Sequence, residues 1–301
     1  MSIKTLSAWE WALLVLASFI LSFLMYGLAL VVTDSITTLW VSCLAVIVFS
    51  VAMLALYAIF IKLFEKHPAG DISLRRLAPD TLKGLGIGCA FFIVVVLIMF
   101  AAGLYRFDSI GTDNPAGIFA AFLGFLVVAV GEEIIFRGVL FRWIDEKWGF
   151  IAALITSSLV FGLMHIFQPG ATLWSSFAIA VEAGLLLGAA YKYSGTLWLP
   201  IGIHWAWNFT QGNIFGFAVS GSGAGVSLIQ PAIAGPDILT GGIFGAEASV
   251  ISLAIGLLLS LWFILKIRRQ NARQTTIFIA YRPSQTSLLS LSAKPCPVQE
   301  W

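Results

Sequence analysis

Eight runs of predominantly apolar residues constrain this chain more than any other feature of its sequence. Each run has about 20 residues, which is the length that an α-helix needs to cross the hydrocarbon core of a bilayer. The runs lie near residues 11–32, 39–62, 85–104, 117–140, 150–167, 174–191, 197–217 and 248–265. Only 11% of the 301 residues are charged, so an ordinary soluble domain is excluded.

These runs predict an all-α fold. Strands of a membrane barrel alternate apolar and polar residues, whereas these runs are apolar on every face. We therefore expect an integral, multi-pass membrane protein whose residues 1–270 form a polytopic transmembrane helix bundle of about eight spans, surrounded by the lipid bilayer. Residues 271–301 are rich in Ser, Gln and Pro and are expected to form a disordered cytoplasmic tail. The Gly- and Ser-rich segment 218–247 is expected to be an outer loop, partly re-entrant in one interpretation.

Lysine and arginine fall almost entirely on one side of these eight spans. The residues assigned to that side are Lys4, Lys62, Lys66, Arg75, Arg76, Lys83, Arg142, Lys147, Lys192, Lys266, Arg268, Arg269, Arg273, Arg282 and Lys294. The opposite loops carry Arg106. The positive-inside rule then predicts that both termini are cytoplasmic. The net charge of +2 reflects this orientation, and no nucleic-acid partner is expected.

A small set of polar side chains lies inside the apolar runs. Placing an ionisable group near the bilayer centre costs about 3 kcal/mol on insertion scales, so such a group usually faces a cavity or a partner. The set comprises Glu132, Glu133, Arg137, His165, Glu182, His204 and Asn208. Glu182 is expected to make a structural hydrogen bond or to support the others. The remaining six are the candidate site.

Spacing places these side chains on shared helix faces. Glu133 and Arg137 are four residues apart, as are His204 and Asn208. Three helices turned inward in this way would collect two carboxylates, two imidazoles, an amide and a guanidinium in one water-filled pocket. Arg137 would neutralise Glu133 and leave Glu132 as the reactive carboxylate, although a snorkelling role of Arg137 near the cytoplasmic face is the alternative.

Hydrolysis is the chemistry that such a pocket supports. A carboxylate beside an imidazole can deprotonate a water, and a second imidazole with an amide can donate hydrogen bonds to an oxyanion. Two imidazoles and a carboxylate also suit zinc, so Glu132, His165 and His204 are candidate metal ligands. Metal-bound water and a metal-free Glu/His pair both remain open. Each histidine taken singly could instead be an ordinary hydrogen-bonded contact between helices.

Three motifs in this order resemble the CPBP family of intramembrane proteases, the CAAX prenyl protease and bacteriocin-processing (Abi) family. Its pattern is EExxxR, then FxxxH, then HxxxN or HxxxD. The chain has "EEIIFR" from Glu132 to Arg137, "FGLMH" from Phe161 to His165 and "HWAWN" from His204 to Asn208. The resemblance covers residues 117–217, which would be the family core of the bundle.

The resemblance implies an intramembrane endopeptidase. Glu132 and His165 would activate the water, and His204 and Asn208 would stabilise the oxyanion, with Glu133 and Arg137 in support. Family members are classed as metalloproteases, yet a glutamate mechanism without metal is also described for them. The substrate would be a membrane-associated peptide or protein, either a prenylated CAAX-like segment or a leader peptide, and the favoured location is a bacterial inner membrane.

Two other functions stay open at this point. Intramembrane Glu, His and Arg also form transporters and proton relays, and a polar cluster can simply join helices in a non-catalytic immunity or scaffold protein. For the protease, Arg142 after the fourth span and Lys192 before the seventh predict that Glu132 and His204 lie towards the cytoplasmic half, with cleavage near the cytoplasmic boundary.

Overall fold

The computed structural model describes residues 7–64 and 69–280, and these are almost entirely helical, as predicted. The helices are α1 (Ala8–Ser35), α2 (Leu39–Phe64), α3 (Leu74–Ala101), α4 (Pro115–Glu133), α5 (Arg142–Trp148), α6 (Phe150–Met164), α7 (Leu173–Ile179), α8 (Leu185–Ser194), α9 (Trp198–Phe209), α10 (Asp237–Thr240) and α11 (Val250–Ala280). Short 3-10 turns occupy Gly70–Ile72, His165–Phe167, Gly242–Phe244 and Ala246–Ala248.

Three π-helical segments continue these helices without a break. Ile134–Phe141 joins α4 to α5, Ala180–Gly184 joins α7 to α8, and Thr210–Ile214 extends α9. A π turn holds an additional residue in the helix, and such turns are frequent at functional sites. Each of these three segments adjoins one of the polar clusters singled out in the sequence.

Seven helical stretches of the described residues are long and apolar enough to cross a membrane. They are Ala12–Ser35, Leu39–Leu63, Leu74–Ala101, Pro115–Trp148, Phe150–Phe167, Leu173–Ser194 and Val250–Arg273. The eighth predicted run folds as α9 with its π extension, Trp198 to Ile214. Most of its side chains are buried by other helices, so it is a central helix that contacts protein on nearly every face.

Local sequence signals set several helix ends. Ser7 caps α1 in a capping box with Glu10, Asn114 caps α4 ahead of Pro115, and Thr172 caps α7. Gly195 ends α8 in the left-handed conformation at φ 69°, which glycine adopts without steric cost. Each of these residues satisfies backbone groups that a helix end otherwise leaves unpaired.

The central helix α9 is held by close backbone contact with α3. A Cβ on Gly88 would lie 2.3 Å from the Ile203 carbonyl oxygen, and one on Gly84 would lie 2.4 Å from that of Leu199. From Gly84 to Gly88 on α3, the residue contacted on α9 moves forward from Leu199 to Ile203, so the two helices run parallel. Because His204 follows Ile203 directly, this contact fixes the depth at which the imidazole sits.

Gly88→Ala is therefore expected to destabilise the fold by about 1–3 kcal/mol, because the methyl group must push apart two backbones. The matched control is Gly86→Ala on the same helix, where a Cβ would meet nothing within 4 Å. That change should be neutral or slightly stabilising, since alanine favours helix more than glycine. Thermal unfolding in detergent measures both, and equal melting temperatures for the two variants would contradict this packing.

A two-stranded antiparallel ribbon lies outside the helices and was not predicted. Strand β1 (Tyr105–Ile110) pairs with β2 (Ile229–Ile233), with Tyr105 opposite Ile233 and a bulge at Asp108. It ties the α3–α4 connection to the Gly-rich loop, 218–247. That loop folds back on the bundle: the Gln211 side-chain amide donates to the Ala218 carbonyl at 2.6 Å, and the Trp207 indole donates to the Glu247 carboxylate at 3.4 Å.

The last helix, α11, continues to Ala280 and so includes the first ten residues of the predicted tail, 271–280. Residues 281–301 and 1–6 lie outside the described residues, so the disordered tail and the cytoplasmic placement of both termini stay predictions.

Candidate active site

The structure brings the three motifs to one cavity. Glu132 lies near the end of α4, His165 directly follows α6, and His204 and Asn208 lie one turn apart on α9. All four side chains line a cavity of about 530 Å³. Glu133 and Arg137 lie behind this wall, almost fully buried, and make no part of the lining.

Arg137 is enclosed rather than snorkelling, since only 1% of its side chain is exposed. Its guanidinium donates to the Glu133 carboxylate at 2.8 Å and to the carbonyls of Ala183 and Gly184 at 3.3 and 3.4 Å. Ala183 and Gly184 are the last two residues of the π segment Ala180–Gly184. The guanidinium also lies 4.7 Å from the centre of the Phe161 ring, a cation–π contact. Arg137 therefore joins three helices behind the cavity.

His204 connects the two carboxylates of the first motif. Its Nδ1 donates to Glu133 Oε1 at 2.9 Å, and its Nε2 lies 3.9 Å from Glu132 Oε2. Glu133, which is fully buried, thus accepts from both Arg137 and His204. Because the carboxylate fixes the hydrogen on Nδ1, Nε2 is the nitrogen left to act at the cavity.

His165 is oriented by its own motif. Its Nδ1 lies 2.7 Å from the Phe161 carbonyl oxygen, so it carries the hydrogen and leaves Nε2 as the acceptor. The Phe161 ring packs against His165 at 4.6 Å and against His204 at 6.3 Å between ring centres. The phenylalanine of FxxxH therefore supports both imidazoles, a role that the spacing did not predict.

Glu132 is the carboxylate that faces the cavity. Its side chain is 15% exposed, against 0% for Glu133. The Tyr26 hydroxyl of α1 donates to Glu132 Oε1 at 3.1 Å, while Oε2 has no hydrogen-bond partner. Glu132 is thus held at one oxygen, while the other is buried without a hydrogen-bond partner, 3.9 Å from His204 Nε2. A carboxylate placed in this way can accept a proton from water.

Tyr26 is a site residue that sequence reasoning missed. It lies in an apolar run with no charged neighbour, and a single tyrosine in a membrane span is a weak signal. Its ring packs so closely on α4 that a Cβ on Gly131 would lie 2.4 Å from Tyr26 Cδ2. The glycine preceding the Glu pair therefore admits the ring that positions Glu132.

Glu182 does not make the structural hydrogen bond expected of it. It is fully buried on the π segment Ala180–Gly184, and neither carboxyl oxygen has a hydrogen-bond partner among the described residues. A second acid, Glu247 of the Gly-rich loop, interacts electrostatically with it. Burial raises the pKa of Glu247 to about 7, although the hydroxyl and amide of Ser220 donate to it.

The donor types suit zinc, since both imidazoles carry hydrogen on Nδ1 and keep Nε2 for a ligand. Their placement does not suit it. Within residues 7–64 and 69–280, no three His, Cys, Asp or Glu side chains are placed to hold a metal ion. His204 Nε2 lies 3.9 Å from Glu132 Oε2, so two of the three candidate ligands lie near each other.

The cavity runs to the end of the bundle opposite the basic residues. Its rim includes Asp34 at the end of α1, Gly117 at the start of α4 and Gln168 after α6. The cavity thus opens away from Arg142 and Lys192, beside the turn that follows His165. That Glu132 and His204 lie towards the cytoplasmic half, with cleavage near that boundary, stays a prediction.

Comparison with known proteins agrees with the three motifs. Residues 114–210, about a third of the chain, match the Rce1-like family, described as type II CAAX prenyl endopeptidase Rce1-like. The matched range contains all three motifs. No curated protein and no solved structure matches the chain significantly.

Proposed function

We propose, from the premise that residues 114–210 form the core of an Rce1-like intramembrane endopeptidase, that Glu132 is the general base of a metal-free peptide hydrolysis. The observation that carries the proposal is the position of Glu132. It is the one carboxylate of the Glu pair that lines the cavity, and its Oε2 lacks a hydrogen-bond partner.

In the first step, the Glu132 carboxylate removes a proton from a water in the cavity, and His165 Nε2 accepts a hydrogen bond from the O–H group that remains. The water oxygen attacks the carbonyl carbon of the scissile peptide, and the electron pair of the C=O bond moves to oxygen. Holding the water between two acceptors orients its remaining lone pairs towards the carbonyl.

The oxyanion then needs hydrogen-bond donors. The Asn208 side chain can donate directly, and His204 can donate through Nε2 when both of its nitrogens carry hydrogen. That form is favoured because His204 lies between the carboxylates of Glu133 and Glu132, at 2.9 and 3.9 Å. Donors arranged in advance around a developing negative charge are usually the largest contribution to such catalysis.

In the last step, the C–N bond breaks and Glu132 returns its proton to the leaving nitrogen. The products are a carboxylic acid and an amine; the acid passes its remaining proton to the amine or to solvent, and Glu132 regains its starting charge. Glu133 and Arg137 are positioning residues in this scheme, because they touch His204 and the helix backbone rather than the cavity.

The direct test places the purified protein in lipid vesicles with two kinds of probe. One is a farnesylated peptide that ends in a CAAX sequence, and the other is a set of single-span peptides with a randomised linker beside the span. Mass spectrometry of the products is expected to reveal new termini within or next to the membrane boundary. Intact peptides of both kinds after prolonged incubation would argue against a protease, and proton-coupled uptake into the same vesicles would favour the transporter.

Removal of metal provides a second prediction. Because the proposed base and donors act without a metal ion, cleavage should persist after treatment with strong chelators and dialysis. In a glutamate mechanism no metal ion acts as a Lewis acid, so the cleavage rate should change by less than about twofold. Loss of activity that added zinc restores would establish the metalloprotease mechanism instead.

Tyr26→Phe tests how Glu132 is positioned. Losing a hydrogen bond of this kind costs about 0.5–1.5 kcal/mol, so kcat is expected to fall about two- to tenfold while KM stays near its original value. The matched control is Tyr193→Phe, since the Tyr193 ring packs on Phe263 away from the cavity. Equal kcat values for Tyr26→Phe and the unmodified protein would remove Tyr26 from the site.

A further inference from the structure

The cavity has its mouth at one defined end of the bundle. Beyond the catalytic set, it is lined by Asp34, Gln168 and the loop residues Ser220, Ser222 and Gly225. Asp34 is at the end of α1, Gln168 follows α6, and the loop residues follow α9 with its π extension. These three helices all run towards the end of the bundle that holds the mouth. The Gly-rich loop thus forms part of the mouth, where a Cβ on Gly221 would collide with the Pro169 carbonyl oxygen.

Contacts between connections establish which loops share each end. At the mouth, the Tyr105 hydroxyl donates to the Phe215 carbonyl at 2.9 Å, and β1 pairs with β2. At the far end, Lys192 pairs with Asp145 at 2.6 Å, and the Trp198 indole donates to the Ser73 carbonyl at 3.0 Å. The two ends are therefore distinct layers, with the catalytic set between them.

Basic residues separate sharply between these two layers. In the part of the chain that the structure describes, the far end holds Lys62, Arg75, Arg76, Lys83, Arg142, Lys147, Lys192, Lys266, Arg268, Arg269 and Arg273. The mouth end holds Arg106, on β1, and Arg137 lies buried between the layers. An excess of Lys and Arg in short loops marks the cytoplasmic side of a membrane protein.

We infer that the catalytic cavity opens to the non-cytoplasmic side of the membrane, and that the substrate is a membrane-anchored peptide whose scissile bond lies on that side. The statement about the substrate rests on the proposed function. The statement about the direction of the cavity follows from the position of the mouth opposite the basic loops. A prenylated carboxyl terminus on a cytoplasmic protein would meet the wrong end of the bundle.

The lining of the mouth narrows the substrate further. Glu132 and His204 face each other deeper in the cavity, while the mouth itself carries the Asp34 carboxylate and, among the described residues of the lining, no lysine or arginine. An anionic mouth of this kind attracts cationic groups and disfavours anionic ones. The expected substrate is therefore a peptide that is neutral or basic next to the scissile bond, anchored by its own apolar segment.

Cysteine labelling tests the orientation without reference to activity. Single cysteines are introduced after Cys43, Cys89 and Cys296 have been replaced by serine or alanine. Ser222→Cys probes the rim, Asp108→Cys probes the ribbon at the same end, and Glu146→Cys probes the far end; all three native residues are exposed. Intact cells are treated with a membrane-impermeant maleimide before and after permeabilisation.

We expect Ser222→Cys and Asp108→Cys to react in intact cells and Glu146→Cys to react only after permeabilisation. The reverse pattern would overturn the inference. Paired single-span reporters with the randomised linker on either side of the membrane test the substrate, and cleavage is expected on the non-cytoplasmic side. Cleavage confined to the cytoplasmic linker would overturn the substrate assignment. Outward labelling without cleavage of either reporter would contradict the proposed function while supporting the orientation.

Discussion

Glu132→Gln is expected to lower the rate of peptide cleavage by about 10²- to 10⁴-fold, the contribution typical of a general base. Glutamine keeps the size of the side chain and can still accept the hydrogen bond from Tyr26. It cannot take a proton from water. Because Glu132 lines the cavity and its ion-pair partner, His204 Nε2, is 3.9 Å away and keeps its closer contact with Glu133, the substitution should lower the melting temperature only slightly.

Initial rates with a cleavable reporter and thermal unfolding of the same preparation provide the two measurements. Glu146→Gln is the matched control, since Glu146 is exposed at the far end of the bundle. Its rate should equal that of the unmodified protein. If Glu132→Gln cleaves at the normal rate, the proposed mechanism fails; if it unfolds, the polar cluster is structural and the scaffold interpretation gains support.

Arg137→Met is expected to destabilise the protein by about 3–5 kcal/mol, because it leaves the Glu133 carboxylate buried without its guanidinium partner. Both side chains of this pair are at most 1% exposed. The variant also loses the hydrogen bonds to the Ala183 and Gly184 carbonyls and the contact with the Phe161 ring. Denaturant titration of the folded protein in detergent measures the change.

The double variant Arg137→Met with Glu133→Gln separates charge from packing. Glutamine can still accept from His204 Nδ1, while the uncompensated charge is removed. A large part of the lost stability should therefore return, and the coupling between the two positions is read from a double-mutant cycle. Purely additive losses would mean that Arg137 stabilises the bundle through its backbone and ring contacts, with little from the ion pair.

The sequence predicted the helical fold because the signal is strong wherever apolar runs match the bilayer thickness. It also predicted that six polar groups on three spans converge, and the structure places four of them around one cavity with Glu133 and Arg137 behind it. The pairing of Arg137 with Glu133, predicted from that spacing alone, is present at 2.8 Å. The roles assigned to Glu132, His165, His204 and Asn208 stay predictions until activity is measured.

Other features depended on contacts distant in the chain. Tyr26 reaches Glu132 across 106 positions of sequence, and Glu247 reaches Trp207 from a loop with no helical periodicity. The ribbon of β1 and β2 joins segments more than a hundred residues apart. The end at which the cavity opens could not be predicted, because hydropathy locates the spans but carries no information on which connections leave an opening.

The three π segments have a consequence for how this site could change over time. A π turn winds one residue more into a turn than an α turn does, so the helical segments before and after it keep their directions. Deleting a single residue within Thr210–Ile214 would restore regular winding there and leave the Gly-rich loop in its present relation to the histidine on the same helix. The same deletion in the regular part of α9 would turn everything beyond it by about 100°. The π segments are thus the places where relatives of this chain can gain or lose a residue without separating the mouth from the water-activating pair.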